Sequence, residues 1–151
     1  MSDWANNIAE KPQGSYRSII GYASEQAFIA RAQKAGFNLF FKVWRDLEYD
    51  AVLDSEGVLF RIEVKSSSGT SFDLTRGSRG GVQIDKSIDK TRGITREDCD
   101  FVVCVDNRDF TCYILPAEVV ELFERNNLPV SYLNAFKEKW DIFLGGKFHC
   151  H

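Results

Sequence analysis

No apolar run in this chain approaches the roughly 18 residues that span a bilayer, so no transmembrane helix is expected. The start, Met1-Ser2-Asp3-Trp4, lacks a basic stretch leading into an apolar one, and no secretory signal is read there. There is no internal repeat and no low-complexity tract. Cysteine is sparse, with four residues at Cys99, Cys104, Cys112 and Cys150. Three of them lie in or beside apolar strand-like runs, which reads as reduced thiols in a core, not a disulfide frame. The expected compartment is the cytoplasm. The glycines between Arg76 and Gly81 do not match a P-loop, so no nucleotide cofactor is expected. His149-Cys150-His151 offers zinc-type ligands, but at a terminus expected to fray, and reads as a chance cluster.

What is present suffices for one compact domain. The chain has 151 residues, 44% of them hydrophobic and 13% aromatic, enough to bury a core. Residues 1–14 read as a loose arm, with Pro12 and Gly14 as breakers. A helical pattern runs from about Ser18, a plausible N-cap, to Ala35, with Gly36 as a stop. At 100° per residue Glu25 falls among Phe28, Ile29 and Ala32, on or beside the inward face. A carboxylate there calls for a partner or a metal; the plainer alternative is a half-exposed glutamate bonded to an arginine. Phe37 to Trp44 reads as an aromatic-rich strand. Asp100 to Asp106 is a continuous apolar run, as expected for a strand buried on both faces. Asn107-Arg108 makes a turn, and Phe110 to Leu115 is the next strand. Pro116 opens a helix at its first turn, ended by Asn126-Asn127-Leu128-Pro129. Ser131 caps a last helix over Tyr132 to Leu144, with Leu133, Phe136, Trp140 and Phe143 as its apolar stripe and Gly145-Gly146 as its stop. The order predicts an α/β (α+β) fold, a mixed sheet flanked by helices.

The most informative stretch is a hairpin. One strand carries Asp50, Asp54-Ser55-Glu56-Gly57 turns the chain, and Val58 to Lys65 returns it. Phe60, Ile62 and Val64 point one way and Arg61, Glu63 and Lys65 the other, because strand side chains alternate. Two carboxylates with a lysine beside them form a hard-oxygen site suited to Mg²⁺ or Mn²⁺. Those are the parts that metal-assisted phosphodiester hydrolysis requires. An acid-x-lysine on a strand is also common with no catalytic role.

Net charge is −3, which argues against generic nucleic-acid binding. The distribution says more. Between Thr75 and Arg96 six bases (Arg76, Arg79, Lys86, Lys90, Arg92, Arg96) face two acids, giving +4 and leaving −7 for the rest. Such a basic, glycine-rich excursion suits a polyanion, or else is a solvated loop. Gln83 within it reads as a base or phosphate contact, or as a loop glutamine. Ser66 and Ser67 read as phosphate contacts or as turn caps.

A helix ending at Gly36 and carrying Glu25, then Asp50, then Ile62-Glu63-Val64-Lys65 resembles the PD-(D/E)XK nuclease superfamily, the restriction-endonuclease-like fold. The resemblance covers about residues 21–68, and the order of elements extends it to about Glu121. Small homing endonucleases of cyanobacterial group I introns look similar at Asp100-Phe101-Val102-Val103 and at Cys112-Tyr113-Ile114-Leu115-Pro116. Archaeal Holliday-junction resolvases share the helix glutamate and the Glu-Val-Lys strand. Tyr49 stands where the superfamily's name has proline, and Glu63 where the intron-encoded branch has glutamine. The resemblance implies Asp50 and Glu63 as ligands of Mg²⁺ (or Mn²⁺), joined by the Val64 carbonyl. It implies Lys65 as the group that positions or activates water, and Glu25 as a supporting acid. Double-stranded DNA is then the substrate, contacted by Arg76, Arg79, Gln83, Lys86, Lys90, Arg92, Ser66 and Ser67, in a bacterial, archaeal or phage-encoded setting. One active site per small domain implies a homodimer or homotetramer for cutting both strands. The alternatives are a junction-specific resolvase and a DNA-binding module that no longer cleaves.

Overall fold

A computed structural model of the chain describes residues 13–41, 49–76 and 92–147. It contains a five-stranded sheet in the order β1 (Asn38–Phe41), β2 (Ala51–Ser55), β3 (Val58–Ser67), β7 (Phe101–Asp106) and β8 (Thr111–Pro116). The β3–β7 pair is parallel and the other pairs are antiparallel, so the sheet is mixed. Two small ribbons accompany it: β4 (Ser71–Asp73) with β9 (Asn127–Pro129), and β5 (Thr75–Arg76) with β6 (Arg92–Gly93). The expected mixed sheet with flanking helices is the observed architecture.

Helix α1 spans Gln13–Lys34, more than a turn earlier at its start than the Ser18 cap predicts. Gln13 and Gly14, assigned to the arm, are helical, and residues 1–12 lie outside the described residues. Gly14 costs a helix only about 1 kcal/mol relative to alanine, too little to break one that packs along its length. The C-terminus is as expected. Gly36 has φ +101°; its N–H donates to Gln33 O at 2.9 Å and the Phe37 N–H reaches back to Ala32 O at 3.0 Å. This paired arrangement closes a helix on a left-handed glycine. Phe28, Ile29 and Ala32 point to the sheet and join Leu53, Ile62, Val64, Val103 and Phe143 in one buried cluster.

The hairpin turns over two residues. Glu56 (φ 52°) and Gly57 (φ 92°) both adopt left-handed backbone, the conformation that matches strand twist in a tight hairpin. The Gly57 N–H donates to Asp54 Oδ1 at 2.7 Å. Register is set from Ser55↔Val58 to Ala51↔Ile62, which places Ile62 and Val64 on the α1 face and Glu63 and Lys65 on the other. Strand β3 runs through Ser66 and Ser67, two residues past the expected end at Lys65, because both pair with β7 at Val105 and Asp106. The start of β7 is tied to β3 by Asp100. Its carboxylate accepts the Arg61 N–H at 2.7 Å and the Arg61 guanidinium at 3.1 Å, and its own N–H donates to Arg61 O at 2.9 Å. Strand β7 is buried at every position, as a central strand must be.

The C-terminal third departs from expectation. Helix α2 is short (Ala117–Leu122), and the segment read as its terminator contains β9, which pairs with β4. The single helix predicted over Tyr132 to Leu144 is two 3₁₀ segments, Val130–Phe136 and Trp140–Lys147, the second running through Gly145 and Gly146. They are interrupted at Lys137, which is extended, and Glu138, at φ 52°. The cause is Glu138. Its carboxylate accepts Arg31 Nη2 at 2.7 Å, Trp140 Nε1 at 2.8 Å and the Cys112 N–H at 3.1 Å, while its own N–H donates to Cys112 O at 2.7 Å. A continuous helix would carry this side chain away from α1 and β8. The apolar stripe is still used: Leu133 and Phe143 are buried, and Trp140 stacks on Phe28 at 6.0 Å. Trp140 is thus a core residue here.

Candidate active site

The hairpin brings Asp50 and Glu63 together before any other group is considered. Asp50 lies one residue before β2, and its N–H donates to Ile62 O at 2.8 Å, so that Asp50 and Ala51 share Ile62 as their neighbour on β3. Asp50 Oδ2 accepts the Val64 N–H at 2.8 Å, which locks the carboxylate against the strand that carries Glu63. Both are buried, Asp50 to 7% exposure and Glu63 to 4%.

Two cations balance them. Lys65 Nζ lies 3.7 Å from Glu63 Oε1, and Arg76 Nη1 lies 3.8 Å from Glu63 Oε2. Both distances exceed a hydrogen bond, so this compensation is coulombic. The lysine is held instead by a backbone oxygen, donating to Thr75 O at 2.8 Å. Strand β5 therefore serves the site twice, through the Thr75 carbonyl and the Arg76 side chain. Nothing in the linear spacing announced this. Arg76 was read only as one base in a basic excursion, and it reaches Glu63 from a strand, β5, whose Thr75 carbonyl holds Lys65.

The remaining expected residues divide. Ser24 is fully buried on α1 and its Oγ lies 2.8 Å from Ser66 Oγ, while Asn107 Nδ2 donates to Ser66 Oγ at 3.3 Å. Ser67 Oγ donates to Ser71 O at 2.7 Å and accepts the Gly69 N–H at 3.1 Å, which is the turn-capping alternative. Glu25 is half-buried on α1, the helix that covers the Ile62 and Val64 face, whereas Glu63 and Lys65 project from the other. Arg92 forms a forked pair with Asp98, Nη1 to Oδ2 at 2.7 Å and Nη2 to Oδ1 at 2.6 Å. The Arg92 guanidinium is the main reason that the Asp98 carboxyl is lowered to about 2, with the Thr95 N–H and the charge of Arg76 assisting. Arg79, Gln83, Lys86 and Lys90, with Cys150 and the His149-Cys150-His151 cluster, lie outside the described residues.

The nearby thiols are inert. Burial pushes Cys99 up to about 12, with the Glu63 charge adding to the effect. Burial raises Cys104, beside Lys65 in the β3–β7 register, far above the ordinary thiol range. Thiols held protonated this way are neither nucleophiles nor metal ligands.

Among the described residues no group of three or more His, Cys, Asp or Glu is gathered closely enough to hold a metal ion. The donor set at Asp50 and Glu63 still fits one kind of ion. Mg²⁺ and Mn²⁺ take hard oxygen ligands, and Mg²⁺ is commonly held by one or two carboxylates with water completing the shell. Two buried carboxylates, one bonded to the strand that carries the other and a lysine beside the second, define a class of site that suits metal-assisted attack on a phosphodiester.

Comparison with known proteins bears on the same point. A family model described as PD-(D/E)XK endonuclease matches residues 17–131, and the chain belongs to that family. The match takes in α1, the hairpin, β7, β8 and α2. Among solved structures, the bacterial homing endonuclease I-Ssp6803I superposes with a TM-score of 0.71 at 23% identity, over 89% of this chain and 97% of that one. At that identity the likeness establishes the restriction-endonuclease-like fold. No protein of curated function matches the chain.

Proposed function

We propose that this protein is a Mg²⁺-dependent (or Mn²⁺-dependent) endonuclease that cuts double-stranded DNA at specific sites, with Asp50, Glu63 and Lys65 as its reaction centre. The observation that carries this reading is the locked hairpin: Asp50 held by the Val64 N–H of the strand that carries Glu63, with Lys65 Nζ 3.7 Å from the Glu63 carboxylate.

Asp50 and Glu63 would hold the ion, together with the Val64 carbonyl. A divalent ion there supplies positive charge beside the phosphate and lowers the pKa of an attacking water. Lys65 orients that water and carries a positive charge toward the developing phosphorane. The Thr75 carbonyl fixes the direction in which the ammonium points. Glu25 would act as a supporting acid from α1. Phosphate contacts come from Ser66 and from the basic residues at 76–92, with affinity falling steeply as salt rises. The fold shared with a homing endonuclease supports a sequence-specific target, and cutting both strands calls for a homodimer or homotetramer.

The test is incubation with supercoiled plasmid, linear duplex and a four-way junction, with Mg²⁺ or with EDTA. Discrete Mg²⁺-dependent duplex products that vanish in Lys65→Ala and Glu63→Gln are expected. Cleavage that survives EDTA or Lys65→Ala would sink the assignment of the centre. Cutting of the junction alone would replace the substrate with branched DNA, and binding without cutting would leave only a DNA-binding module.

A further inference from the structure

Arg76 stands apart from the other bases of its segment. Its Nη1 is shut off from solvent and has no hydrogen-bond partner among the described residues. A buried guanidinium N–H left unmade is unfavourable and rare in a folded protein. The same atom lies 3.8 Å from Glu63 Oε2, while Lys65 Nζ lies beside the other oxygen, Oε1. Arg92 is Arg76's partner across β5–β6, yet its guanidinium is engaged by both oxygens of Asp98. Of these two arginines, it is Arg76 whose buried donor waits for an acceptor.

We propose that Arg76 belongs to the reaction centre, its guanidinium donating to a non-bridging oxygen of the phosphodiester being cut. This rests on the nuclease reading above and gives Arg76 a role distinct from tracking the DNA backbone. Charge supports it. Asp50 and Glu63 contribute two negative charges, and Lys65 and Arg76 two positive ones. One divalent cation brings the centre to +2. A phosphodiester under attack by hydroxide passes through a species of charge −2. With Arg76 the centre matches that charge, and without it the centre falls one short. Geometry supports it too. Thr75 O fixes Lys65 Nζ at 2.8 Å, so the strand that carries Arg76 is bonded to the lysine proposed to orient the nucleophile. A planar fork is also better suited than an ammonium to two oxygens on one phosphorus.

The experiment uses the full-length protein and a duplex containing its mapped cleavage site. Affinity is measured with Ca²⁺ in place of Mg²⁺ across a range of salt, and single-turnover cleavage with Mg²⁺ at saturating protein. Substrates carry phosphate, or either phosphorothioate diastereomer, at the cut position. Arg76→Ala is expected to slow cleavage at saturation by about 100-fold, the usual effect of losing one donor to a developing oxyanion. The dissociation constant should rise less than about tenfold, with the salt slope unchanged. One diastereomer should slow the native protein and cause no further loss in Arg76→Ala. Arg76→Lys should fall between. The proposal is overturned if Arg76→Ala cuts at the native rate while its salt slope falls by about one, the behaviour of a backbone contact. Should Arg76→Ala fail to fold, Arg76→Lys with native rate and native sulfur sensitivity overturns it equally. If the native protein cuts no DNA, the nuclease reading falls and this inference with it. If the native protein cuts and Arg76→Ala cuts equally well, only this inference falls.

Discussion

The two faces of the five-stranded sheet are covered in different ways. On one face a 22-residue helix lies across the strands, and the space beneath it is filled by large apolar groups. Phe143 sits at its centre, with Phe101 at 4.9 Å, Phe37 at 5.5 Å and Phe60 at 6.0 Å between ring centroids. The other face is covered by short pieces: α2, the β4–β9 ribbon and the first 3₁₀ segment. A second apolar cluster fills it, with Phe72, Tyr113 and Leu128 among its members, and it adjoins Glu63, Lys65 and Arg76. A long helix covers a face continuously. A patchwork of short segments leaves margins where buried charges are paired and a ligand can approach. The proposed chemistry lies on the second face.

That division can be broken from either side. Phe28→Ala opens the helix-covered face beneath Trp140, and a loss of about 4 kcal/mol in denaturant unfolding is expected. Cleavage per folded molecule should survive. Lys65→Ala should do the reverse, with cleavage down at least about 100-fold (roughly 3 kcal/mol in the barrier) and a melting temperature near native. Equal damage to stability and cleavage in both variants would erase the distinction. Glu138→Ala removes the acceptor shared by Arg31, Trp140 and the Cys112 N–H, and calorimetry should show a loss of about 2 kcal/mol. If the C-terminal segment were held by its apolar stripe alone, that loss would be near zero.

Asp98 tests the second face through pH. Its folded pKa of about 2 lies below the ordinary 3.8 because Arg92 favours the charged form. The unfolded chain therefore binds more protons than the folded one between those values. This contribution is complete above the ordinary carboxylate range and disappears as pH falls through 3.8 toward about 2. Acid titration of Asp98→Asn should show reduced stability at neutral pH and a flatter decline across that window. Asp106, lowered chiefly by its hydrogen bond to Arg108, should retain its share of the decline in that variant. The smallest effect is expected at the hairpin. Gly57 has φ +92° and nothing within 4 Å of an added Cβ, so Gly57→Ala costs only backbone strain, about 1 kcal/mol by thermal unfolding.

Periodicity explains which elements were legible. The β7 run, the alternation of Phe60 to Lys65, the glycine stop at Gly36 and the proline before α2 are local signals. Each reflects a backbone or side-chain preference that acts within a few residues. The C-terminal pair of 3₁₀ segments was not legible, because Glu138 departs from the helix to satisfy Arg31, more than a hundred residues earlier in the chain. The strand course of Ser66 and Ser67 was hidden for the same reason: their partners are on β7, and serines by themselves suggest a turn.

The sequence alone determined the hairpin, the facing of Glu63 and Lys65 away from Ile62 and Val64, and the identity of the acids. Alternation and turn chemistry are properties of neighbouring residues. Only the tertiary structure decided what surrounds those acids. It brought Thr75 O to Lys65 and Arg76 to Glu63, turned Arg92 to Asp98, and set an apolar cluster against each face of the sheet. Those outcomes depend on strand pairing between distant segments, and a buried charge accepts whichever partner the packing delivers.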